Sequence, residues 1–299
     1  MTRLSISLTA LFIVGCASAS SNAQRSSMPL AWELTDGVKS PESAYFDEAS
    51  GFLFVSQIGD GGATGKDGDG YLSKLTPDGK VVALKWIIGL NAPKGIRSHD
   101  GRLWISDIDQ LVEIDIAEGK ILSQTPVPDA KFLNDVTCTP DGTVYVSDTT
   151  GCKIYRLHDG KVEVFAEGEE LEYPNGLLVL DGKLVIAAWG KPNDDFSTDI
   201  PGRLFTLDLE TKEKTLITPE PFGNLDGLEP ARGGQFFVSD WFAGKVYLVD
   251  SNGKSRLLLQ LPKGAADIGT VPSERIVIVP QMMENKISAY RMKPPEKSD

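Results

Sequence analysis

The 299-residue sequence predicts an all-β protein: a six-bladed β-propeller of four-stranded antiparallel blades, with an N-terminal strand closing the last blade. Three observations lead there. An apolar strand preceded by a turn rich in Gly and Asp recurs six times, beginning at Leu53 (LFVS), Leu103 (LWIS), Val144 (VYVS), Leu184 (LVIA), Phe236 (FFVS) and Ile276 (IVIV). The intervals are 50, 41, 40, 52 and 40 residues, so the unit is 40 residues long and two copies carry insertions. Helical periodicity is sustained nowhere, and short strands repeated at this period build a propeller.

The elements follow in order. A single cation, Arg3, precedes an apolar run that ends Phe12-Ile13-Val14-Gly15-Cys16. The run is too short to span a bilayer and reads as a signal peptide over residues 1–16. Ile13-Val14-Gly15-Cys16 resembles a lipobox, which predicts an exported lipoprotein anchored through a lipid on Cys16, periplasmic or held at the outer membrane. Ala17-Ser18-Ala19 is a competing cleavage site that would release a soluble or secreted protein. Residues 17–29 read as a flexible tether, 30–293 as the propeller and 294–299 as a disordered tail. Within the propeller, turns such as Pro140-Asp141-Gly142 and Asp181-Gly182 punctuate the hairpins. The last unit runs out near Arg291, so Ala31-Trp32-Glu33-Leu34 is expected to supply its outer strand and remove the free edge. The two insertions, 58–70 and 189–202, fall between second and third strands of blades 1 and 4, on opposite sides of the ring. They are expected to form a rim that sets substrate choice, with Trp189 and Trp241 lining the pocket as substrate contacts.

Composition removes several classes. With 42 acidic against 30 basic residues the net charge is −12, which repels phosphate backbones and argues against nucleic-acid partners. Three cysteines cannot staple a fold this size. Cys138 and Cys152 are expected at opposite ends of their blade, about 13 Å apart, and therefore free. His99 and His158 fall in turns on the face away from the first-strand starts. The stretch 62–66 lacks the first glycine of a phosphate loop, and 67–70 is only half of a calcium loop. No Gly-x-Ser-x-Gly elbow is present.

The chemistry is expected where the blades meet. Nine to eleven residues before each repeated strand lie Glu42, Lys94, Asn134, Asn175, Asp226 and Asp267, all polar or charged. In a propeller these positions converge on the central channel. Three carboxylates against one ammonium leave −2, which one divalent cation neutralises. Oxygen donors without Cys or His select a hard ion, Ca²⁺ first, then Mg²⁺ or Mn²⁺, with Zn²⁺ possible. Lys94 is the discordant member, bridging Asp267 or Glu42 or else acting as a proton donor.

The segments Ser40-Pro41-Glu42-Ser43, Leu133-Asn134-Asp135-Val136, Tyr173-Pro174-Asn175-Gly176-Leu177 and Leu225-Asp226-Gly227-Leu228 resemble the metal-site motifs of the gluconolactonase and senescence-marker-protein-30 family, six-bladed propellers related to paraoxonases. The resemblance implies a metal-dependent lactonase or esterase. It implies Glu42, Asn175 and Asp226 as metal ligands, Asn134 as a further ligand or substrate contact, and Asp226 as the base. Asp267 is an alternative base on the ring position alone. Where the family's sugar lactonases carry Arg two residues before the Asn, this chain has Phe132, which argues against gluconolactone. The expected partner is a small lactone or ester and the expected state a monomer. Two other classes remain open: a non-catalytic ligand-binding or scaffold propeller with a structural ion, and a glycosidase or lyase pairing Glu42 with Asp226 or Asp267.

Overall fold

The structure is a computed structural model that describes residues 28–292. The signal segment 1–16 with Cys16 and the tail 294–299 lie outside the described residues. Six four-stranded antiparallel sheets make up the body, each formed by four consecutive strands except the last. Blade 1 runs through Pro41–Asp47, Phe52–Gln57, Gly70–Leu75 and Val81–Leu90. Blade 6 takes Gly269–Val271, Ile276–Gln281 and Lys286–Arg291 from the C-terminal end, and its outer strand is Leu30–Leu34. The expected closure is therefore present. The packed body begins earlier than expected, because Met28, assigned to the tether, is buried against Phe237, Val277 and Tyr290.

Second strands such as Phe52–Gln57 and Ile276–Gln281 open on four apolar residues and are buried along almost their whole length, because a neighbouring blade covers each face. Six apolar clusters result, one at each interface between blades. Phe54, Leu72, Ile96 and Ile105 join blades 1 and 2, for example, and Leu177, Ile154 and Phe205 join blades 3 and 4. The apolar core is thus a set of radial layers, and the axis is left to polar side chains. Only two short 3₁₀ turns, Glu169–Leu171 and Met282–Glu284, interrupt the β-structure among the described residues.

One irregularity recurs and positions the site. In five blades the pairing of first and second strands slips at the start of the first strand: between Pro41 and Ala44, Pro93 and Ile96, Leu133 and Val136, Pro174 and Gly176, and Leu225 and Leu228. Each slip contains one residue of the expected axial ring. A β-bulge of this kind re-aims side chains and frees backbone groups from the ladder.

Candidate functional site

All six expected ring residues are buried, the most exposed being Asn134 at 6%. Their first strands approach closely enough to bond one another: Asp267 N–H donates to the Glu42 carbonyl at 2.9 Å, and Ala44 N–H donates back to the Asp267 carbonyl at 3.2 Å. Glycine follows the ring residue in three blades because no side chain fits there. A Cβ at Gly95 would lie 2.5 Å from Asp135 Cα, at Gly176 2.1 Å from the Asp226 carbonyl oxygen, and at Gly227 2.2 Å from Ile268 N.

The backbone groups freed by the bulges are taken up by serines of the second strands, a role not assigned from the sequence. Ser56 Oγ accepts from Ser43 N at 2.8 Å. Ser147 Oγ accepts from Asp135 N and donates to the Asn175 carbonyl of the next blade at 2.7 Å. Ser239 Oγ likewise accepts from Gly227 N and donates to the Ala266 carbonyl, and Ser106 Oγ donates to the Asn134 carbonyl. The recurring fourth-position Ser in LFVS, LWIS, VYVS and FFVS was the available signal. In three of these four runs Asp follows the Ser and shapes the loop entering the first strand: Asp107 accepts from Ala92 N at 2.7 Å, and Asp148 from Phe132 N at 2.8 Å.

The ring is electrostatically incomplete. Burial first, then the Asp226 charge, pushes the Glu42 carboxyl well above its ordinary range, with Lys94 opposing. Burial followed by Asp135 and Asp240 does the same to Asp226, and burial followed by Asp135 to Asp267. Glu42 Oε2, both polar atoms of the Asn175 amide, and Asp267 Oδ1 are buried without any hydrogen-bond partner. The other oxygen of Asp267 accepts from Ser43 Oγ at 2.5 Å. Among the described residues no three His, Cys, Asp or Glu side chains gather into a metal-holding group. A cation here would therefore need amide oxygens as well as carboxylates.

Lys94 makes neither of the expected bridges to Glu42 or Asp267. Its ammonium donates to the carbonyls of Ala92 and Ala63, each at 3.0 Å, and lies 4.5 Å from the centre of the Phe132 ring. Burial pulls it down to about 8. Ala63 belongs to the blade 1 insertion, so Lys94 anchors that loop over the ring. The blade 4 insertion reaches the same face. Phe196 stacks 5.4 Å from Phe132, and its carbonyl accepts from Trp189 Nε1. Trp189 and Trp241 are brought together, 5.9 Å between ring centres.

One turn deeper lies a second polar layer that the sequence reading missed. Arg97 of blade 2 spans the axis to Glu229 of the opposite blade 5, Nη1 to Oε1 at 2.7 Å, both nearly buried. Glu229 also accepts from Thr270 Oγ1, and Arg97 lies over Tyr45. Burial raises Asp135 to about 6 against the pull of Arg97 and of the Leu177 and Val136 N–H groups. His99 and Cys138 line a cavity of ≈ 460 Å³ at the other end of the molecule. His158 bonds Thr143 there, and Cys138 and Cys152 are free thiols as expected.

No protein-family model matches the sequence, and no curated protein matches it. Solved structures do. A gluconolactonase from Xanthomonas campestris superposes with a TM-score of 0.63 over 89% of this chain and 88% of its own, at 16% identity. The calcium-binding protein regucalcin from Agrobacterium tumefaciens superposes with 0.59, over 88% and 94%, at 18%. Virginiamycin B lyase from Staphylococcus aureus also gives 0.59, over 89% and 99%, at 15%. The propeller fold implied by the motif resemblance is thus shared with a gluconolactonase and regucalcin, and equally with a lyase.

Proposed function

We propose that the protein is a divalent-cation-dependent hydrolase of a lactone or ester, with Ca²⁺ the first candidate ion. The observation that carries this reading is the set of unpartnered buried oxygens on Glu42, Asn175 and Asp267 beside Asp226. Buried polar atoms without partners are costly, and buried like charges more so. Carboxylate and amide oxygens are the donors that a hard cation takes, so the residues fit the ion. Glu42, Asn175 and Asp226 would hold it, with Asn134 as a fourth donor or a substrate contact. Bound there, the cation would supply Lewis-acid polarisation of the acyl carbonyl.

The chain's own residues do the rest. Asp226 or Asp267 takes a proton from the attacking water. Burial raises both above the ordinary carboxylate range. Asp267 is oriented for this by the Ser43 hydroxyl, which leaves its second oxygen unengaged. Lys94 holds the inserted loop over the ring through its bonds to the Ala92 and Ala63 carbonyls. The likeness to a gluconolactonase and to a calcium-binding protein supports the reading. A lyase mechanism has less support. A virginiamycin B lyase variant with one histidine replaced by alanine is inactive, whereas both histidines of this chain face away from the ring.

We further propose export and anchoring through Cys16, and action as a monomer on a small molecule. These rest on the apolar run before Cys16 and on the net charge of −12. No helix among the described residues is long and apolar enough to cross a membrane. The test is turnover of a panel of aliphatic lactones, sugar lactones and aryl esters, with chelator, with each ion restored, and with Asp226→Asn. Turnover that chelation abolishes, an ion restores and the variant lacks is the expected result. A folded, ion-stabilised protein that turns over nothing would instead mark a binding propeller with a structural ion.

A further inference from the structure

Directly after the second strand, each blade places one residue on the face where the ring lies. In blades 1, 3, 4 and 5 its N–H donates to the carbonyl two residues before the ring residue: Ile58 to Ser40, Thr149 to Phe132, Trp189 to Tyr173 and Trp241 to Asn224. The corresponding residues of blades 2 and 6 are Ile108 and Met282. Five of these six collar residues are apolar, directly above a ring that is entirely polar.

The two halves of the collar differ. On one side Ile58 and Ile108 are packed out of reach against Ala92, with Ala63 and Met282 over them. On the other side an unbroken arc of rings crosses blades 3, 4 and 5. Phe132 lies 5.4 Å from Phe196, Phe196 6.5 Å from Trp189, Trp189 5.9 Å from Trp241, and Trp241 5.8 Å from Phe242. Phe196, Trp241 and Phe242 are only half-buried, so the arc presents aromatic surface. It curves above Asn134, Asn175 and Asp226, whose strands it flanks.

The cations at the two ends of the arc are already engaged. Lys94 gives protons to two backbone carbonyls and rests on Phe132. Lys263 sits 3.5 Å from the Phe242 ring centre and 5.0 Å from that of Trp241. Lys94 is therefore not presented as a free ammonium to an anionic substrate, whereas Lys263 stays exposed at the outer end of the arc. We infer that the substrate class is a neutral lactone or ester bearing an aryl group, which stacks on the Phe196–Trp189–Trp241 arc while its acyl carbonyl reaches the ring. The inference rests on the hydrolase reading for the word substrate; the ligand chemistry stands on the arc alone. Stacking favours an uncharged planar group, and a polyhydroxylated sugar finds few hydrogen-bond partners on such a wall.

The experiment compares kcat/KM for a phenyl-substituted butyrolactone, the unsubstituted lactone and gluconolactone. It uses the ion-loaded protein and its Phe196→Ala and Trp241→Leu variants. Intrinsic tryptophan fluorescence is titrated with the same compounds. The expected result is preference for the phenyl lactone, with the selectivity ratio reduced roughly three- to tenfold by each variant, the range of one lost aromatic contact. Preference for gluconolactone or the unsubstituted lactone overturns the inference and leaves the hydrolase reading standing. If nothing is turned over, the hydrolase reading fails and fluorescence decides. Saturable quenching by the phenyl lactone that weakens in both variants sustains the aryl ligand, and its absence overturns it.

Discussion

Asp226 and Glu42 hold carboxyl groups that the surrounding protein leaves under-compensated, and their protonation follows from it. A carboxyl whose pKa is raised on folding keeps a proton that the unfolded chain has already lost. Stability from that group is present at low pH and falls as pH climbs through the interval between the two values. Glu42, Asp226 and Asp267 are all raised, burial being the first cause in each. Lys94, lowered to about 8, has the opposite sign: its contribution is lost as pH drops through about 8, so it adds no rescue at neutrality. The ion-free protein is therefore expected to lose stability as pH rises from about 4 toward 7. Asp226→Asn and Glu42→Gln should flatten that decline and each add roughly 1–2 kcal/mol at neutral pH, while abolishing stabilisation by Ca²⁺. Denaturant unfolding at a series of pH values measures this; variants less stable than the ion-free parent at pH 7 would contradict it.

A second residue-scale expectation concerns the deeper layer. Glu229→Gln leaves the Arg97 guanidinium nearly buried without its carboxylate, which should cost about 3–5 kcal/mol in denaturant unfolding. Loss below 1 kcal/mol would show the pair to be solvated. The six ring residues were legible in the sequence because each is polar and lies nine to eleven residues before an apolar strand. Their electrostatics were less so. The predicted Lys94 bridge is absent because Ala63, about thirty residues earlier in an inserted loop, supplies a carbonyl that periodicity cannot place. Arg97 and Glu229 went unnoticed because each lies inside a strand and meets its partner across the axis, 132 residues away in sequence.

At the scale of the element, the bulged first strand is the device that turns a repeat into a site. In five blades it presents one side chain to the axis, and in blades 1, 3 and 5 the second-strand serine accepts from a backbone N–H that the bulge releases. Close approach of neighbouring first strands then requires glycine. Gly176→Ala would force a Cβ against the Asp226 carbonyl. We expect it to destabilise by about 1–3 kcal/mol, the usual cost of overpacking, and to weaken Ca²⁺ binding by displacing Asp226. Thermal unfolding with and without Ca²⁺ reads both effects; an unchanged ion-induced shift would separate the glycine from the site. The strands themselves were legible from six apolar runs and their turns. The bulges were not, since they fall at the starts of the first strands, outside the apolar second-strand runs that carry the repeat.

Across the whole molecule, radial packing concentrates polar chemistry on the axis and leaves the ring as its closing constraint. Leu30–Leu34 pairs with Lys286–Arg291, and Trp32 Nε1 donates to the Pro77 carbonyl of blade 1, so one short strand ties the ends of the chain together. Removing residues 28–34 should expose the Lys286–Arg291 edge and convert the protein to oligomers, which light scattering detects. A monomer of unchanged stability would contradict the closure. Six blades and their closure were readable from the 40-residue period. The early start at Met28 was not, because a lone methionine in a polar stretch carries no periodic signal.

The ring is proposed to hold one divalent cation on Glu42, Asn175 and Asp226. Isothermal titration of Ca²⁺ into chelator-stripped protein, beside the Asp226→Asn variant, tests it most directly. One site per chain is expected in the parent and none in the variant. No binding, or binding that the variant leaves untouched, would contradict it.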